Sequence, residues 1–281
     1  MRSGADLVFF RDCFPYWHLN YSNRQIHVLE VNSKQGMEIK LQGKLKNFLF
    51  VLTQRNYYKS WKHFNFVTEE LKNEFIEEGL CTEEDAEIFT NSINLSRIPL
   101  LPVSQNERPN LIFIGHPGLA WNGINQMMDL ANCWNNATFH IVGEEKPNQV
   151  ICGDNVLFHG YLKERDYQDI AKNCHLAIGT LGIQSKSMYF GCSLKTREYL
   201  ALGLPVVIRY FDVDFAPSQS PFIFTLPVDN RPISSFQKEI SQFLDKWRHE
   251  RVSREAISAI GHIQRESKRV AYFRSLTSGL R

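Results

Sequence analysis

Short apolar runs alternate with longer amphipathic segments through the second half of the chain. Segments with helical spacing, such as GINQMMDLANCW (residues 123–134) and KERDYQDIAKNC (163–174), separate these runs. The apolar runs are typical of strands buried on both faces of a parallel sheet; they are LIFIG (111–115), ATFHIVG (137–143), NVLFHG (155–160), HLAIGT (175–180), PVVI (205–208) and FIFTLP (222–227). This alternation predicts a complete doubly wound α/β domain.

The first hundred residues carry a weaker version of the same pattern. The strand candidates are DLVFF (6–10), IHVLEVN (26–32) and HFNFVT (63–68). One long helical stretch is predicted between Gly36 and Trp61, and a second helix follows the capping residue Thr68. Three strands are too few for a whole doubly wound domain, so this part is predicted to be a partial Rossmann-like domain.

A proline-containing stretch without periodicity, RIPLLPVSQNERPN (97–110), is interpreted as the linker between the two domains. We therefore expect a partial N-terminal domain over residues 1–104 and a complete domain over 105–233. The remaining residues, 234–281, contain two helical stretches that are expected to pack on the domains or to cross between them.

Composition narrows the class of protein. The 281 residues are 43% hydrophobic and 22% charged with a net charge of +2, a globular balance that gives no indication of nucleic-acid binding. The six cysteines show no CxxC pair and no zinc-ligand spacing, so reduced thiols are favoured over a disulfide framework. The N-terminal apolar run is too short for a signal peptide, and the chain has no membrane-spanning stretch. A cytoplasmic location is expected, in solution or peripheral to the inner face of the membrane.

The last segment is locally basic. Residues 238–281 hold ten Lys or Arg against five Asp or Glu. A solvated helix face explains this excess, and electrostatic attachment to an anionic membrane surface is the alternative. The amphipathic run FQKEISQFLDKW (236–247) is explained equally well by packing against the sheet.

The most informative stretch is SLKTREYLALGLPVV (193–207), which places charged residues in an apolar segment. On a helical wheel Glu198 falls between Leu194 and Leu202, inside the apolar arc, with Lys195 at its edge. A carboxylate there needs hydrogen-bond donors to offset its lost solvation. A surface pair between Lys195 and Glu198 is one interpretation, and recognition of a ligand's hydroxyl groups by Glu198 is the other.

The position of this helix favours a ligand. It follows a strand through a loop at the carboxyl edge of the sheet, where open α/β sheets bind ligands. The N–H groups around Cys192, Ser193 and Leu194 suit a phosphate, and Lys195 adds a positive charge. Phosphates at the helix start with Glu198 one turn deeper would suit a nucleoside diphosphate, with the ribose diol on the carboxylate.

The segment 193–207 resembles the signature helix of family-4 glycosyltransferases of the GT-B fold, commonly S-P-L-K-x-x-E-Y-L-A-x-G-x-P-V-V. The stretches LIFIGHPGLAWNGINQMMDLA (111–131) and FHIVGE (139–144) resemble the family's nucleotide domain in order and type. Upstream, DLVFFR and FVTEELKNEF resemble the later part of its acceptor domain. The likeness covers nearly the whole chain, and the Lys195–Glu198 segment is its most specific motif.

The resemblance implies roles for individual residues. Glu198 matches the family's ribose-binding glutamate, and Lys195 lies near the donor phosphates. Gly115 and His116 match the loop whose amides approach the donor phosphate. Asn122 and Gly123 stand where the family has a Lys-Gly or His-Gly pair. The residues expected to act in catalysis are Lys195, Glu198 and His116.

Further positions follow from the same likeness. Tyr161 falls where the nucleobase stacks, and Thr180 ends the strand opposite the phosphates. The family often has an acidic residue eight positions before the signature glutamate, where this chain has Phe190. His116 replaces an arginine and Asn122 a lysine, so fewer fixed charges would face the pyrophosphate. His116 as an uncharged loop histidine and Asn122 as a turn residue are the structural alternatives.

The implied activity is transfer of a sugar from a UDP- or GDP-sugar with retention of configuration and without a metal ion or other cofactor. The acceptor would be a glycan or a lipid-linked saccharide. Glu30 and Asn32, at the end of a strand, are candidates for the acceptor side, with an ordinary polar pair as the alternative. Because the first strand and Gly-rich loop of a GT-B protein have no counterpart before Asp6, a catalytically inactive binding module or a truncated fragment is the competing hypothesis.

Overall fold

A computed structural model of the chain describes residues 6–14, 25–116, 118–146 and 152–278. The chain divides into two compact units. The first unit comprises Met1–Asn91, Lys186–Phe190 and Ile263–Arg281, and the second comprises Ser92–Ser185 and Gly191–His262.

The first unit is built on a parallel sheet of four strands in the order β1-β2-β3-β4. The strands are β1 (Leu7–Arg11), β2 (Ile26–Val31), β3 (His63–Phe66) and β4 (Ala86–Ile88). The three strands that the apolar pattern predicts are confirmed. The pattern missed β4 because a three-residue strand with a glutamate at its centre contains no apolar run.

The helices of this unit that follow the strands are α1 (Gln35–Gln42), α2 (Lys44–Lys59) and α3 (Glu69–Glu77). The prediction of one helical stretch from Gly36 to Trp61 is wrong in one respect. The helix breaks at Gly43, whose φ of 147° is outside the helical range and is tolerated by glycine. Thr68 caps α3 by accepting a hydrogen bond from the N–H of Leu71, as predicted.

The second unit contains a parallel six-stranded sheet, confirming the predicted doubly wound domain. Its strands are β5 (Asn110–Ile114), β6 (Thr138–Val142), β7 (Val156–Phe158), β8 (Leu176–Ile178), β10 (Val206–Ile208) and β12 (Ile223–Thr225), and β9 (Phe190–Gly191) pairs with β11 (Phe211–Asp212) in a short ribbon. The order β12-β10-β8-β5-β6-β7 reverses direction between β5 and β8. Ligands bind at this switch point in open α/β sheets.

The helices that complete the chain are α4 (Ile124–Cys133), α5 (Glu164–Ala171), α6 (Leu194–Ala201), α7 (Gln237–Trp247) and α8 (His262–Thr277). Although α8 is the last described helix of the chain, it packs within the first unit. The rings of Tyr272 and Phe273 lie 5.7 Å from Phe89 and 5.2 Å from Phe9, measured between ring centroids. Among the described helices, none has the length and apolar character needed to cross a bilayer.

Helix α6 is buried on a different face from the one that the wheel predicts. The expected apolar arc included Leu194, but this side chain is 48% exposed. The buried residues are instead Thr196, Arg197, Tyr199, Leu200 and Ala201. The helix therefore enters the interior with three polar side chains, and each of them needs a partner inside the fold.

Arg197 has the strongest of these partners. Its guanidinium donates to both carboxylate oxygens of Asp212, over 2.6 and 2.9 Å, and to Asp214, and the arginine is fully buried. The ring of Phe215 lies 5.4 Å from the guanidinium carbon. Because the fork geometry matches a carboxylate, these bonds join α6 to the residues that follow β10.

Replacing Arg197 by methionine should destabilise the protein by about 3–5 kcal/mol, because Asp212 and Asp214 would remain buried without their counter-ion. Denaturant unfolding followed by circular dichroism measures the loss. Arg231→Ala is the matched control, since Arg231 pairs with Asp229 on the surface and its removal should leave the midpoint nearly unchanged. Equal midpoints for Arg197→Met and the wild type would contradict this account of α6.

Candidate functional site

The candidate site lies at the carboxyl ends of β5, β6 and β8, next to the start of α6. Gly115 and His116 follow β5, Glu144 follows β6, and Thr180 follows β8. The strands are parallel and neighbouring in the sheet, so these positions share one edge at the switch point.

A chain of hydrogen bonds ties the loop after β5 to α6. The Lys195 ammonium donates to Oδ1 of Asn122 over 2.8 Å, and Nδ2 of Asn122 donates to the backbone oxygen of His116 over 2.9 Å. Lys195 also lies 4.7 Å above the Phe113 ring centroid. Asn122 is buried and bridges the two elements, so it is more than a turn residue before Gly123.

Burial controls the charge of Lys195. Desolvation lowers the pKa of Lys195 to about 7, and the neighbouring carboxylate of Glu144 acts against this shift. Burial also raises the pKa of Glu144, while Lys195 and His116 act to lower it. The site therefore holds an amine that exchanges its proton near neutral pH, which an incoming anion would hold in the charged form.

Two glycines permit the close approach of these loops. Gly143 has a φ of 95°, and a Cβ there would lie 1.8 Å from the backbone oxygen of Gly115. Gly123 has a φ of 81° at the start of α4, where a Cβ would lie 2.6 Å from Leu181. Both positions require glycine, so the backbone of the phosphate-loop candidate is fixed by local sterics.

Glu198 lies half-buried on α6 and accepts a hydrogen bond from the hydroxyl of Tyr167 on α5. Burial raises the pKa of Glu198, and the bond from Tyr167 partly offsets this effect. Burial and the bond to Glu198 together raise the pKa of Tyr167. Lys195 and Glu198 are thus bonded to different partners, which argues against a mutual surface pair.

The start of α6 is the part of the site that the sequence predicts to hold a phosphate, and this role stays a prediction. Ser193 is the N-cap residue but makes no capping hydrogen bond with its side chain. Leu194, the first helical residue, is exposed, and Cys192 is buried just before the helix. The first-turn N–H groups therefore form a positive helix end beside Lys195.

The remaining predicted residues occupy varied surroundings. Tyr161 is largely exposed after β7, and Thr180 is buried with its backbone oxygen bonded to the N–H of Arg209. Phe190 is exposed, and its N–H donates to Glu70 over 3.0 Å. These positions stay predictions as ligand contacts.

The acceptor-side candidates lie in the first unit. Glu30 is buried on β2, with its carboxylate oxygens 3.9 Å from both Arg11 and Arg269. Asn32 directly follows β2 and is partly buried. The surroundings of Glu30 match the structural alternative, a polar residue held by ion pairs at a strand end.

Three residues of the site were not found from the sequence. The carboxylate of Glu144 acts electrostatically on Lys195, and the hydroxyl of Tyr167 donates to Glu198. The hydroxyl of Tyr199 accepts a 2.6 Å hydrogen bond from the N–H of Ile114. Tyr199 stands inside the signature segment and so offered a signal. Glu144 and Tyr167 offered none, because they reach the site from other strands and helices.

Among the described residues no cluster of His, Cys, Asp or Glu could hold a metal ion.

No protein-family model and no curated protein matches the sequence. Solved structures do share its fold. Sucrose-phosphate synthase from Thermosynechococcus elongatus superposes with a TM-score of 0.68 and 12% identity, covering 91% of this chain and 69% of the synthase. Anabaena HepE in complex with UDP-glucose gives a TM-score of 0.64 and 13% identity, covering 90% of this chain and 73% of HepE.

A mutant of S. aureus TarM in complex with Fondaparinux, alpha-GlcNAc-glycerol and UDP gives a TM-score of 0.61 and 15% identity. The match covers 91% of this chain, which spans about half, 51%, of the TarM chain. These likenesses show that the chain has the α/β GT-B type of fold that the signature segment implied.

The lowered pKa of Lys195 predicts a specific pH dependence of stability. Between the folded pKa of about 7 and the unfolded value of 10.5, the unfolded chain binds more protons at this position than the folded chain. The free energy of unfolding should therefore rise with pH for the wild type relative to Lys195→Met, by about 2–3 kcal/mol between roughly pH 7.5 and 9.5. Urea unfolding of both proteins across this range measures the difference, and a constant difference would show that Lys195 keeps an ordinary pKa.

Proposed function

We propose that this chain is a glycosyltransferase that takes its sugar from a nucleoside diphosphate sugar. The observation that carries the proposal is the pairing, on one firmly anchored helix, of Lys195 at the amide-rich start with Glu198 one turn further on. This pair stands at the switch point of a sheet whose fold is that of nucleotide-sugar glycosyltransferases. HepE was solved in complex with UDP-glucose, which supports a UDP-sugar as the first donor to test.

The donor would lie with its diphosphate against the start of α6 and the loop at Gly115 and His116. A phosphate oxygen would compete with Asn122 for the Lys195 ammonium, because Asn122 is its neutral partner in the free protein. Glu198 would accept hydrogen bonds from the ribose hydroxyls. Tyr161, exposed after β7, would stack on the nucleobase.

The chemistry requires stabilisation of the leaving diphosphate as its bond to the sugar breaks. Negative charge develops on the phosphate oxygens, where the helix dipole, the loop amides and protonated Lys195 would stabilise it. Retention of configuration would follow the resembled family, with the acceptor attacking from the side of the departing phosphate. That phosphate would take the acceptor's proton as its bond to the sugar breaks.

A second candidate function is a nucleotide-sugar-binding module without turnover. The bond between Asn122 and Lys195 and the presence of Phe190 in place of an acidic residue favour this alternative. An uncharged Lys195 would bind a diphosphate weakly and stabilise little of the leaving charge. The two candidates differ in whether the donor is consumed.

The acceptor is proposed to be a glycan or a lipid-linked saccharide, with Glu30 and Asn32 as acceptor-side candidates in the first unit. A cytoplasmic location and contact of the basic C-terminal helices with the inner face of a membrane stay predictions. The packing of Tyr272 and Phe273 on Phe89 and Phe9 uses the aromatic residues of α8 within the first unit.

Nucleotide sugars should raise the melting temperature of the wild type by several degrees at about 100 times the dissociation constant, which corresponds to about 2.7 kcal/mol of linkage. Glu198→Ala should lose most of this rise for the matching UDP- or GDP-sugar. A thermal-shift panel of UDP- and GDP-sugars measures both. If Glu198→Ala retains the full rise, the carboxylate does not hold the donor.

Tyr167→Phe is the matched control for this experiment. It removes the hydroxyl bonded to Glu198 and leaves the carboxylate in place. If Tyr167→Phe keeps most of the donor-induced rise in melting temperature, the loss in Glu198→Ala is due to the carboxylate itself and not to the lost bond with Tyr167. Release of free nucleotide in the presence of saccharide acceptors would then distinguish the transferase from the silent binder.

Donor binding should also take up a proton. Near pH 8 Lys195 is mostly neutral, and a bound diphosphate would raise its pKa and charge it. Calorimetric titration with nucleoside diphosphate in two buffers of different ionisation enthalpy should show uptake approaching one proton for the wild type and a clearly smaller uptake for Lys195→Met. The same uptake by both proteins would exclude Lys195 as the phosphate-binding amine.

A further inference from the structure

Helix α2 exposes most of its large apolar side chains to solvent. Four residues on adjoining turns, defined here as the α2 apolar face, are exposed by 75%, 59%, 47% and 60%: Leu45, Phe48, Leu49 and Leu52. The helix buries only Phe50 and Tyr58. Single exposed leucines are normal on protein surfaces, but four on one helical face mark a site of interaction.

Positive charges flank this face. Residues 39–68 contain six Lys or Arg and no Asp or Glu. Lys44 precedes the apolar face on α2, and Arg55 and Lys59 follow it at helical spacing from Phe48 and Leu52. All three basic side chains are exposed. The helix thus presents an apolar strip with cations at both ends.

We propose that the α2 apolar face docks on an anionic membrane surface. An interfacial helix inserts its Leu and Phe side chains at the boundary between headgroups and acyl chains, and its Lys and Arg side chains contact anionic lipid headgroups. The arrangement of α2 meets both requirements within one element. This inference goes beyond the proposed function, because lipid binding requires neither a donor nor an acceptor.

Charge argues against a second copy of the chain as the occupant. Two α2 helices packed antiparallel about a two-fold axis would place Lys44 of one copy opposite Arg55 and Lys59 of the other. Such like-charge contacts are costly at an interface, and α2 has no acidic residue to relieve them. A surface of negative headgroups has the complementary sign.

The test is sedimentation of the full chain with lipid vesicles. The wild type should bind vesicles of phosphatidylglycerol and phosphatidylcholine and leave pure phosphatidylcholine vesicles largely unbound. Phe48→Gln/Leu52→Gln should reduce the partition coefficient about tenfold or more, because two inserted side chains are lost. These side chains are exposed, so an unchanged melting temperature should confirm folding.

The matched control is Ile263→Gln/Val270→Gln, which removes two exposed apolar side chains from the basic helix α8. This control should bind like the wild type. A variant that changes charge alone, Lys44→Gln/Arg55→Gln/Lys59→Gln, should weaken binding to anionic vesicles and flatten its dependence on salt.

Any of four outcomes would overturn the proposal. The wild type could fail to bind anionic vesicles, or Phe48→Gln/Leu52→Gln could bind as well as the wild type. Binding could instead be lost in the α8 variant. The fourth outcome is that the wild type is a dimer that does not bind vesicles and that Phe48→Gln/Leu52→Gln is a monomer in analytical ultracentrifugation. That result would assign the α2 apolar face to a second copy of the chain.

Discussion

The second unit depends on the burial of a helix that is rich in polar side chains. A polar group removed from water must find a partner in the fold, and α6 carries three of them inward. Arg197 bonds to Asp212 and Asp214, and Tyr199 bonds to the end of β5. A leucine helix could slide or rotate in its groove at little cost, whereas these bonds specify one position and one rotation. The position of Lys195 and Glu198 follows from bonds made by their neighbours.

This anchoring explains how Lys195 and Glu198 can be held on α6 without an ion pair of their own. Lys195 is bonded to a neutral amide, and Glu198 to a phenol, so neither charge is matched by an opposite charge in direct contact. The bonds of Arg197 and Tyr199, on the other side of the same helix, hold α6 in place and so fix the positions of Lys195 and Glu198. A ligand bearing phosphates and hydroxyl groups would replace these neutral partners with charge-assisted hydrogen bonds.

The parallel sheet of the second unit could be predicted because strands buried on both faces are short, continuous apolar runs, and here such runs alternate regularly with helical segments. The partnership of Arg197 could not, since Asp212 and Asp214 lie beyond an entire strand and many surface carboxylates share their spacing. The wheel misplaced the buried arc of α6 because it treats Arg197 as polar and therefore outward, whereas the buried aspartates reverse that preference. The sequence limits the candidate site to one helix and one edge of the sheet. The contributions of Glu144 and Tyr167 depend on tertiary packing, which periodicity does not encode.

Helix α2 shows that an apolar pattern also fails to predict which apolar side chains stay exposed. Its leucines and Phe48 would be placed in the core by any rule based on hydrophobicity, yet only Phe50 and Tyr58 of this helix are buried. The break at Gly43 separates α2 from α1 and lets it begin in a new direction, so its apolar strip need not continue the buried face of α1. Hydrophobicity therefore establishes that a side chain is driven out of water, and only the packing shows whether its own fold receives it. The fold does not bury the apolar face of α2, and the cations around that face favour an anionic binding partner.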